Sequence, residues 1–335
     1  MFSLPVPENV RRAQFGALSL LKYTKPLANP AMGVFRSVVM CGDQVLCVAP
    51  PRAMPLADFM AAYPFASIRV DDFVDGTMVN VFYNDTWQLC TKSNIGASNT
   101  FLEGSPSFAT MFMEAAVATN LDLDTLDRAC VYSFVLQHPQ NRIVTPVKSP
   151  TLVLVKCYRI TGREVTEESR MLPAPWPVNA ESYDQLLTWA KTMPYIHKGF
   201  MLHAPDGTRA KILGDAYLQV SAIRGSDASL KFRVLQLRNR PELAHLLAYY
   251  PEVRVVANDA ILSVRRFTNE LYSMYLDCFR AKTKPLAEYP REFKPHLYAL
   301  HQLYLAAWPT PIHKKRVVEY VATLSAAQLC VGIKS

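Results

Sequence analysis

The sequence lacks the segments that mark membrane or secreted proteins. No apolar run approaches the roughly 20 residues that span a bilayer, and the N-terminal "MFSLPVPENVRRAQ" does not follow the basic-then-apolar order of a secretory signal. The seven cysteines, at positions 41, 47, 90, 130, 157, 278 and 330, form no CxxC pair, and no histidine stands at ligand spacing from them. Buried free thiols in a reducing compartment are therefore expected, and no metal site. Internal repeats and low-complexity tracts are also absent. These absences point to a soluble, intracellular, cytoplasmic globular protein.

What is present is a chain of 335 residues, half of them apolar and 11% aromatic, enough for well-packed interiors and long enough to suggest two domains. The net charge of +8 is unevenly spread. Residues 1–226 carry 20 Lys and Arg against 19 Asp and Glu, whereas 227–335 carry 16 against 9. The last third thus holds nearly all the basicity, the footprint expected of a segment that meets phosphates. A positively charged docking surface for an acidic protein is the alternative for the same residues.

The pattern along the chain divides at the same place. "VFRSVVMCGDQVLCV" (34–48) reads as two strands joined at "CGDQ". "ASIRVDDFVDGTMVNVFYNDTWQLCTKS" alternates β-branched and aromatic residues with polar ones and breaks at "VDG" and "YNDTW", again predicting antiparallel strands. "ACVYSFVLQ" and "TLVLVKCYRI" read as further strands, and "KGFMLHAPDGTRAKIL" as a hairpin turning at "PDG". Helices are predicted at 105–120, capped by Ser105 or Ser107, and in "AESYDQLLTWAKTM", with the Pro-rich "LPAPWPVN" as a loop. Beyond about 226 the period becomes helical. "NDAILSVRRFTNELYSMYLDCFRAK", capped by Asn258 or Asp259, is followed by "KPHLYALHQLYLAAW" and "KKRVVEYVATLSAAQL". The expected architecture is α+β: an antiparallel-sheet domain over 1–226 and an all-α domain over 227–335.

Several short motifs in the first part occur in a fixed order. They are Phe73-Val74-Asp75-Gly76, then "YSFVLQHPQNRIV" with Asn141-Arg142-Ile143-Val144, then Lys198-Gly199-Phe200, then "KILGDAY" with Lys211 and Tyr217. Together they resemble the nucleotidyltransferase domain of the ATP-dependent RNA ligases, especially the phage and viral type with a helical C-terminal domain. The resemblance covers roughly 30–226 and implies an antiparallel-sheet, ATP-grasp-like ligase domain.

In that family the first motif is Lys-x-Asp-Gly, and its lysine attacks the α-phosphate of ATP to form a covalent lysyl-AMP. Here Phe73 occupies the lysine position, and phenylalanine cannot form a phosphoramidate. Val135 stands where the third motif has glutamate, Lys198 where the fourth has the glutamate that helps hold the metal, and Leu213 where the fifth has a second lysine. The nucleophile, two carboxylates and a phosphate lysine are missing together, while the glycines and strand positions remain.

The same resemblance assigns what is kept. Arg36 matches an arginine that meets the distal phosphates, Lys92 a basic residue after the second strand, and Lys211 the α-phosphate lysine. With Lys198 they would form an anion-binding groove that does not need magnesium for neutralisation. Asp75 would contact a ribose or cap its turn, Gly76 would supply backbone freedom, and Tyr158 would stack an adenine. Arg265, Arg266, Arg280, Lys282, Lys284, Lys314, Lys315 and Arg316 are the candidate RNA contacts of the helical part, positioning phosphates without reading bases.

The expectation is a catalytically degenerate, RNA-ligase-like recognition or scaffold subunit. It would bind RNA, and ATP or AMP without turnover, with a protein complex partner as a further possibility and no membrane. Two alternatives stand beside it. One is an active RNA ligase with magnesium and a nucleophile relocated to Lys92, Lys198 or Lys211. The other is a structural protein, such as one of a virus particle, that uses the ligase fold.

Overall fold

A computed structural model describes residues 1–27, 30–169 and 172–333. The chain divides into two compact units, Met1–Ala222 and Ile223–Ser335. The first contains strands β1 (Phe2–Ser3), β2 (Val10–Phe15), β3 (Leu18–Tyr23), β4 (Val38–Cys41), β5 (Gln44–Val48), β6 (Arg69–Asp72), β7 (Thr77–Asn84), β8 (Thr86–Cys90), β9 (Cys130–Gln137), β10 (Thr151–Thr161), β11 (Glu164–Glu167), β12 (Gly199–His203) and β13 (Arg209–Leu213). They form a six-stranded sheet in the order β1-β11-β10-β9-β7-β8, a four-stranded meander β2-β3-β4-β5 and a three-stranded sheet β13-β12-β6. The pairings are antiparallel throughout. The expected α+β class, antiparallel sheets followed by a helical region, is the observed one.

The composition of β9 explains its place. In "CVYSFVLQ" only the terminal Gln137 is not buried, because the strand lies between β7 and β10 with both faces covered. One face packs Tyr132, Phe134 and Leu136 against Met111 and Phe112 of helix α2 (Phe108–Ala118), which follows the short α1 (Leu56–Ala62). Val131 turns to the other side and meets Leu20, Val39 and Phe82, so the meander covers that face. Ser107 caps α2 by accepting a hydrogen bond from the Thr110 amide, as a serine at that position should. Helix α3 (Tyr183–Thr192) is capped in the same way by Ser182.

α4 (Asp215–Arg224) spans the division between the units. The second unit holds α5 (Leu230–Leu237), α6 (Glu242–Tyr249), α7 (Arg254–Tyr275), α8 (Lys294–Ala306), α9 (Lys314–Thr323) and α10 (Ala326–Gly332). Two expectations are corrected here. α7 begins at Arg254 and not after Asn258 or Asp259, because a 3₁₀ turn at Pro251–Val253 feeds directly into it. The predicted continuous run "KKRVVEYVATLSAAQL" is two helices, since Leu324 is extended and Ser325 opens a capping box with Gln328. Among the described residues, no helix is long and apolar enough to cross a membrane.

Candidate functional site

The motif residues converge where β6 and β12 pair. Phe200 lies opposite Asp72, and the Phe73 amide donates to the Gly199 carbonyl at 2.9 Å. Antiparallel register therefore sets Phe73, just past the end of β6, beside Lys198, just before β12. The Lys198 ammonium stands 4.2 Å from the centroid of the Phe73 ring and 3.3 Å from Asp75 Oδ1. A cation over a ring face is attracted to its negative quadrupole. The residues that the resemblance sets at the nucleophile position and at one carboxylate position are thus packed on each other.

Two glycines flank this contact, each pressed against a neighbouring strand. Gly76 has φ +149°, and a Cβ on it would lie 2.5 Å from the Leu136 carbonyl oxygen and 2.6 Å from Val135 Cγ1. Gly199, at φ +132°, would bring a Cβ to 2.0 Å from the Ile212 carbonyl oxygen. Both positions combine a backbone that side chains rarely adopt with contact against a neighbouring strand. Val135 is buried on β9, where it also meets Gly76, and presents no polar group.

Asp75, expected to contact a ribose or to cap its turn, directs its carboxylate to groups of the same unit. Its Oδ2 accepts from the amides of Val144 and Thr145 at 3.0 and 3.1 Å, and its Oδ1 accepts from the Tyr217 hydroxyl at 2.7 Å as well as from Lys198. The residue is only 6% exposed, and its carboxylate is fully engaged within the unit. Burial alone would raise its pKa. Lys198, Tyr217 and the two amides outweigh burial and hold it below the ordinary carboxylate range. Lys198 is shifted downward: burial is the main cause, Asp75 opposes it, and the charges of Lys211 and Arg36 add to it.

Those last two influences bring Arg36 and Lys211 into electrostatic reach of Lys198. Lys211, on β13, is exposed, while Arg36 is partly buried. Lys92 gathers elsewhere, with its ammonium 5.4 Å from the Tyr23 ring centroid and Arg52 at 5.8 Å from the same ring. Arg36 also interacts with Tyr23. Of the predicted cations, Arg36 and Lys211 thus lie within electrostatic reach of Lys198, whereas Lys92 shares the Tyr23 ring with Arg52. Tyr23 and Arg52 went unnoticed in the sequence, where "PPRAMP" reads only as a break.

Tyr158, the residue expected to stack an adenine, lies in the core. It is 4% exposed, packs edge-on against Phe2 at 5.8 Å and belongs to the core that includes Phe35 and Val165. Burial pushes its hydroxyl pKa upward, and no face is open to an adenine. Sequence reading also missed Arg209. It is buried and donates to the carbonyls of Pro50 and Pro51, with its pKa pushed down to about 10 by burial and by Arg36.

A cavity of about 220 Å³ opens beside Phe73, Asp75 and Lys198, with Gln137, Thr145 and Trp176 among its walls. Trp176 is 81% exposed, yet its backbone is fixed, since its carbonyl accepts from the Asp72 amide at 2.8 Å. In the helical unit all eight predicted RNA-contact residues are exposed. Arg265 and Lys314 line one groove between α5, α7 and α9. Arg316 pairs with Glu319 at 3.2 Å, Arg266 donates to the Ser263 hydroxyl, and Lys284 lies 4.4 Å from the Tyr289 ring centroid.

No family model matches the chain. A curated relative, the immediate-early protein ICP-46 homolog of Invertebrate iridescent virus 3, is 22% identical over 219 residues, which take in 62% of this chain. The chain spans about half the length of that relative, 49%. Among solved structures, a putative ATP-dependent DNA ligase from Aquifex aeolicus is similar with a TM-score of 0.43 and 14% identity, over 78% of each chain. A Naegleria gruberi RNA ligase mutant with ATP and Mn is similar with a TM-score of 0.39 and 13% identity, over 51% of this chain and 57% of that one. Both of these solved structures are of ligases, one of them putative, and the curated relative is a viral protein.

Proposed function

We propose that the chain is a catalytically degenerate, RNA-ligase-like protein that grips the phosphates of a nucleotide or an RNA end without reacting with them, and works as a recognition or scaffold subunit. The observation that carries this reading is the Phe73–Lys198–Asp75 contact. An aromatic ring holds the nucleophile position, and the ammonium above it is tied to an internal carboxylate. Arg36, Lys211, Arg52 and Lys92 leave a basic track beside that contact for anions.

The residues present do not fit a catalytic divalent cation. Val135 and Lys198 replace the two expected carboxylates, Asp75 is occupied by four donors, and among the described residues no group of three or more His, Cys, Asp or Glu could hold a metal. One observation favours the alternative of a relocated nucleophile: Lys198 has a depressed pKa, which raises the fraction of free amine. Against it, the ammonium is turned to Asp75.

Incubation with α-labelled ATP and magnesium, followed by denaturing electrophoresis, separates these readings. No labelled protein band is expected, and a band mapped to Lys198 would establish the alternative. Binding of a labelled single-stranded RNA is expected to weaken about 50-fold between 50 and 200 mM salt if about four phosphates are neutralised. Arg36→Ala and Lys211→Ala are each expected to reduce the salt slope by about 0.7. Equal slopes in both variants and the parent chain would remove the groove from the binding surface.

A further inference from the structure

The helical unit contains a continuous file of aromatic rings that runs from its core to its surface. Tyr275, 5% exposed, packs against Phe279 with ring centroids 5.4 Å apart. Phe279 stacks on His301 at 4.0 Å with the planes within 8°, and His301 stacks on Tyr304 at 5.8 Å and 29°. Tyr304 meets Trp308 edge-on at 5.3 Å. Trp308 is 68% exposed, and Tyr298 and Leu305 of the preceding α8 are also open to solvent. Each ring braces the next, so the outermost indole is presented on a supported base.

Two further features single out this end of the unit. The last turn of α7 passes into a π-helical turn, Leu276–Ala281, which carries Phe279 and, next to it, the exposed Arg280. Such turns cost regular hydrogen bonding and occur often at functional sites. The turn ends at Lys282 in the left-handed conformation, φ +55°, followed by Lys284. Trp308 in turn lies just ahead of the Lys314, Lys315 and Arg316 cluster that opens α9. Among the described residues, Arg280, Lys282 and Lys284 form no ion pair. The His301 Nδ1 atom is buried without a hydrogen-bond partner, so the stacked ring is held by its faces.

We propose that Trp308, backed by Tyr304 and His301, is a stacking platform for an unpaired base of single-stranded RNA, with Arg280 and Lys282 meeting the adjoining phosphates. This rests on the RNA-binding reading above and specifies its substrate as single-stranded. Every base has a π-face, so stacking on an exposed indole tolerates any sequence, and cations beside it track the backbone. In a duplex the faces are already covered by neighbouring bases, and a ring of this kind has nothing to stack on except at the ends.

The test uses the full chain, labelled single-stranded RNA of about 12 nucleotides and a duplex of equal length, followed by anisotropy at low salt. Trp308→Ala is expected to weaken single-strand binding about 10-fold, the loss of one stacked base, with duplex binding unchanged. Trp308→Phe is expected to retain most of the affinity while abolishing the part of the tryptophan quenching that accompanies binding. Circular dichroism melting confirms that the variants are folded. If the parent chain binds single strands and Trp308→Ala binds them equally well, the platform is refuted while the RNA-binding reading stands. If the parent chain binds no RNA, that reading itself fails. If Trp308→Ala leaves RNA affinity intact but disperses an oligomer in sedimentation, the patch is a protein contact and the proposal is overturned.

Discussion

Replacing Asp75 with alanine is expected to cost the first unit about 3–5 kcal/mol, because it strands the Lys198 ammonium in a buried site without its counter-charge. The same change leaves the Val144 and Thr145 amides without their acceptor. The double change Asp75→Asn with Lys198→Met is expected to recover most of the loss. The amide oxygen of asparagine can still accept from the two backbone donors, its nitrogen can donate to the Tyr217 oxygen, and methionine removes the orphaned charge. Denaturant unfolding reports on this directly in a Trp308→Phe background, where the remaining tryptophans, Trp87, Trp176 and Trp189, all lie in the first unit. A double variant no more stable than Asp75→Ala would show that the ion pair is not what holds this corner.

The pair also sets a pH dependence. Asp75 is held below its ordinary pKa, so its stabilisation is complete above the unfolded value of about 3.9 and is lost as pH falls through the lower folded value. Lys198 acts with the opposite charge at the other end of the scale. Its folded pKa is depressed, so between that value and about 10.4 the unfolded chain binds more protons, and stability contributed by this group rises with pH. Lys198→Met is expected to flatten that alkaline limb.

Local chemistry made much of the strand content legible. Alternation identified β7, "ACVYSFVLQ" and "TLVLVKCYRI" read as β9 and β10, and "CGDQ", "YNDTW" and "PDG" marked turns that the structure uses. The β2–β3 hairpin was not recognised, because "VRRAQF" is mostly solvent-facing and offers little apolar period. Four residues expected at the start of a strand, Val34 to Ser37, lie outside β4, where the chain leaves a 3₁₀ turn ending at Val34. The break between α9 and α10 could have been read from Ser325 and Gln328, whose spacing is that of a capping box.

The residues that meet around Phe73 could be named from the sequence, but their contacts could not. Phe73 and Lys198 are 125 positions apart, and only the pairing of β6 with β12 reveals that one sits on the other. Side-chain direction was equally hidden. Tyr158 occupies a strand position that an aromatic suits, but the alternation of β10 turns it into the core between sheets. The resemblance assigns Asp75 a ribose contact or the capping of its turn. Its acceptors are spent on Val144, Thr145 and Tyr217, which a linear sequence places about 70 and 142 residues away.

Gly199→Ala is expected to destabilise the first unit by more than about 3 kcal/mol and to lower its soluble yield sharply, combining backbone strain with overpacking, each costing about 1–3 kcal/mol. The added methyl would meet the Ile212 carbonyl oxygen at 2.0 Å, and that oxygen belongs to the paired strand β13, so relief requires opening the β12–β13 ladder. Gly16→Ala provides the control. It also has a positive φ, +59°, but nothing lies within 4 Å of where its methyl would stand, so only the left-handed backbone cost of about 1–2 kcal/mol applies. Equal destabilisation by the two changes, measured by denaturant unfolding, would show that close strand approach is not the constraint. The difference reaches the site, because Gly199 follows Lys198 and its carbonyl accepts from the Phe73 amide. Shifting that ladder moves the ammonium off the ring and off Asp75. Gly199→Ala is therefore expected to lose the alkaline pH dependence of Lys198 along with stability, while Gly16→Ala retains it.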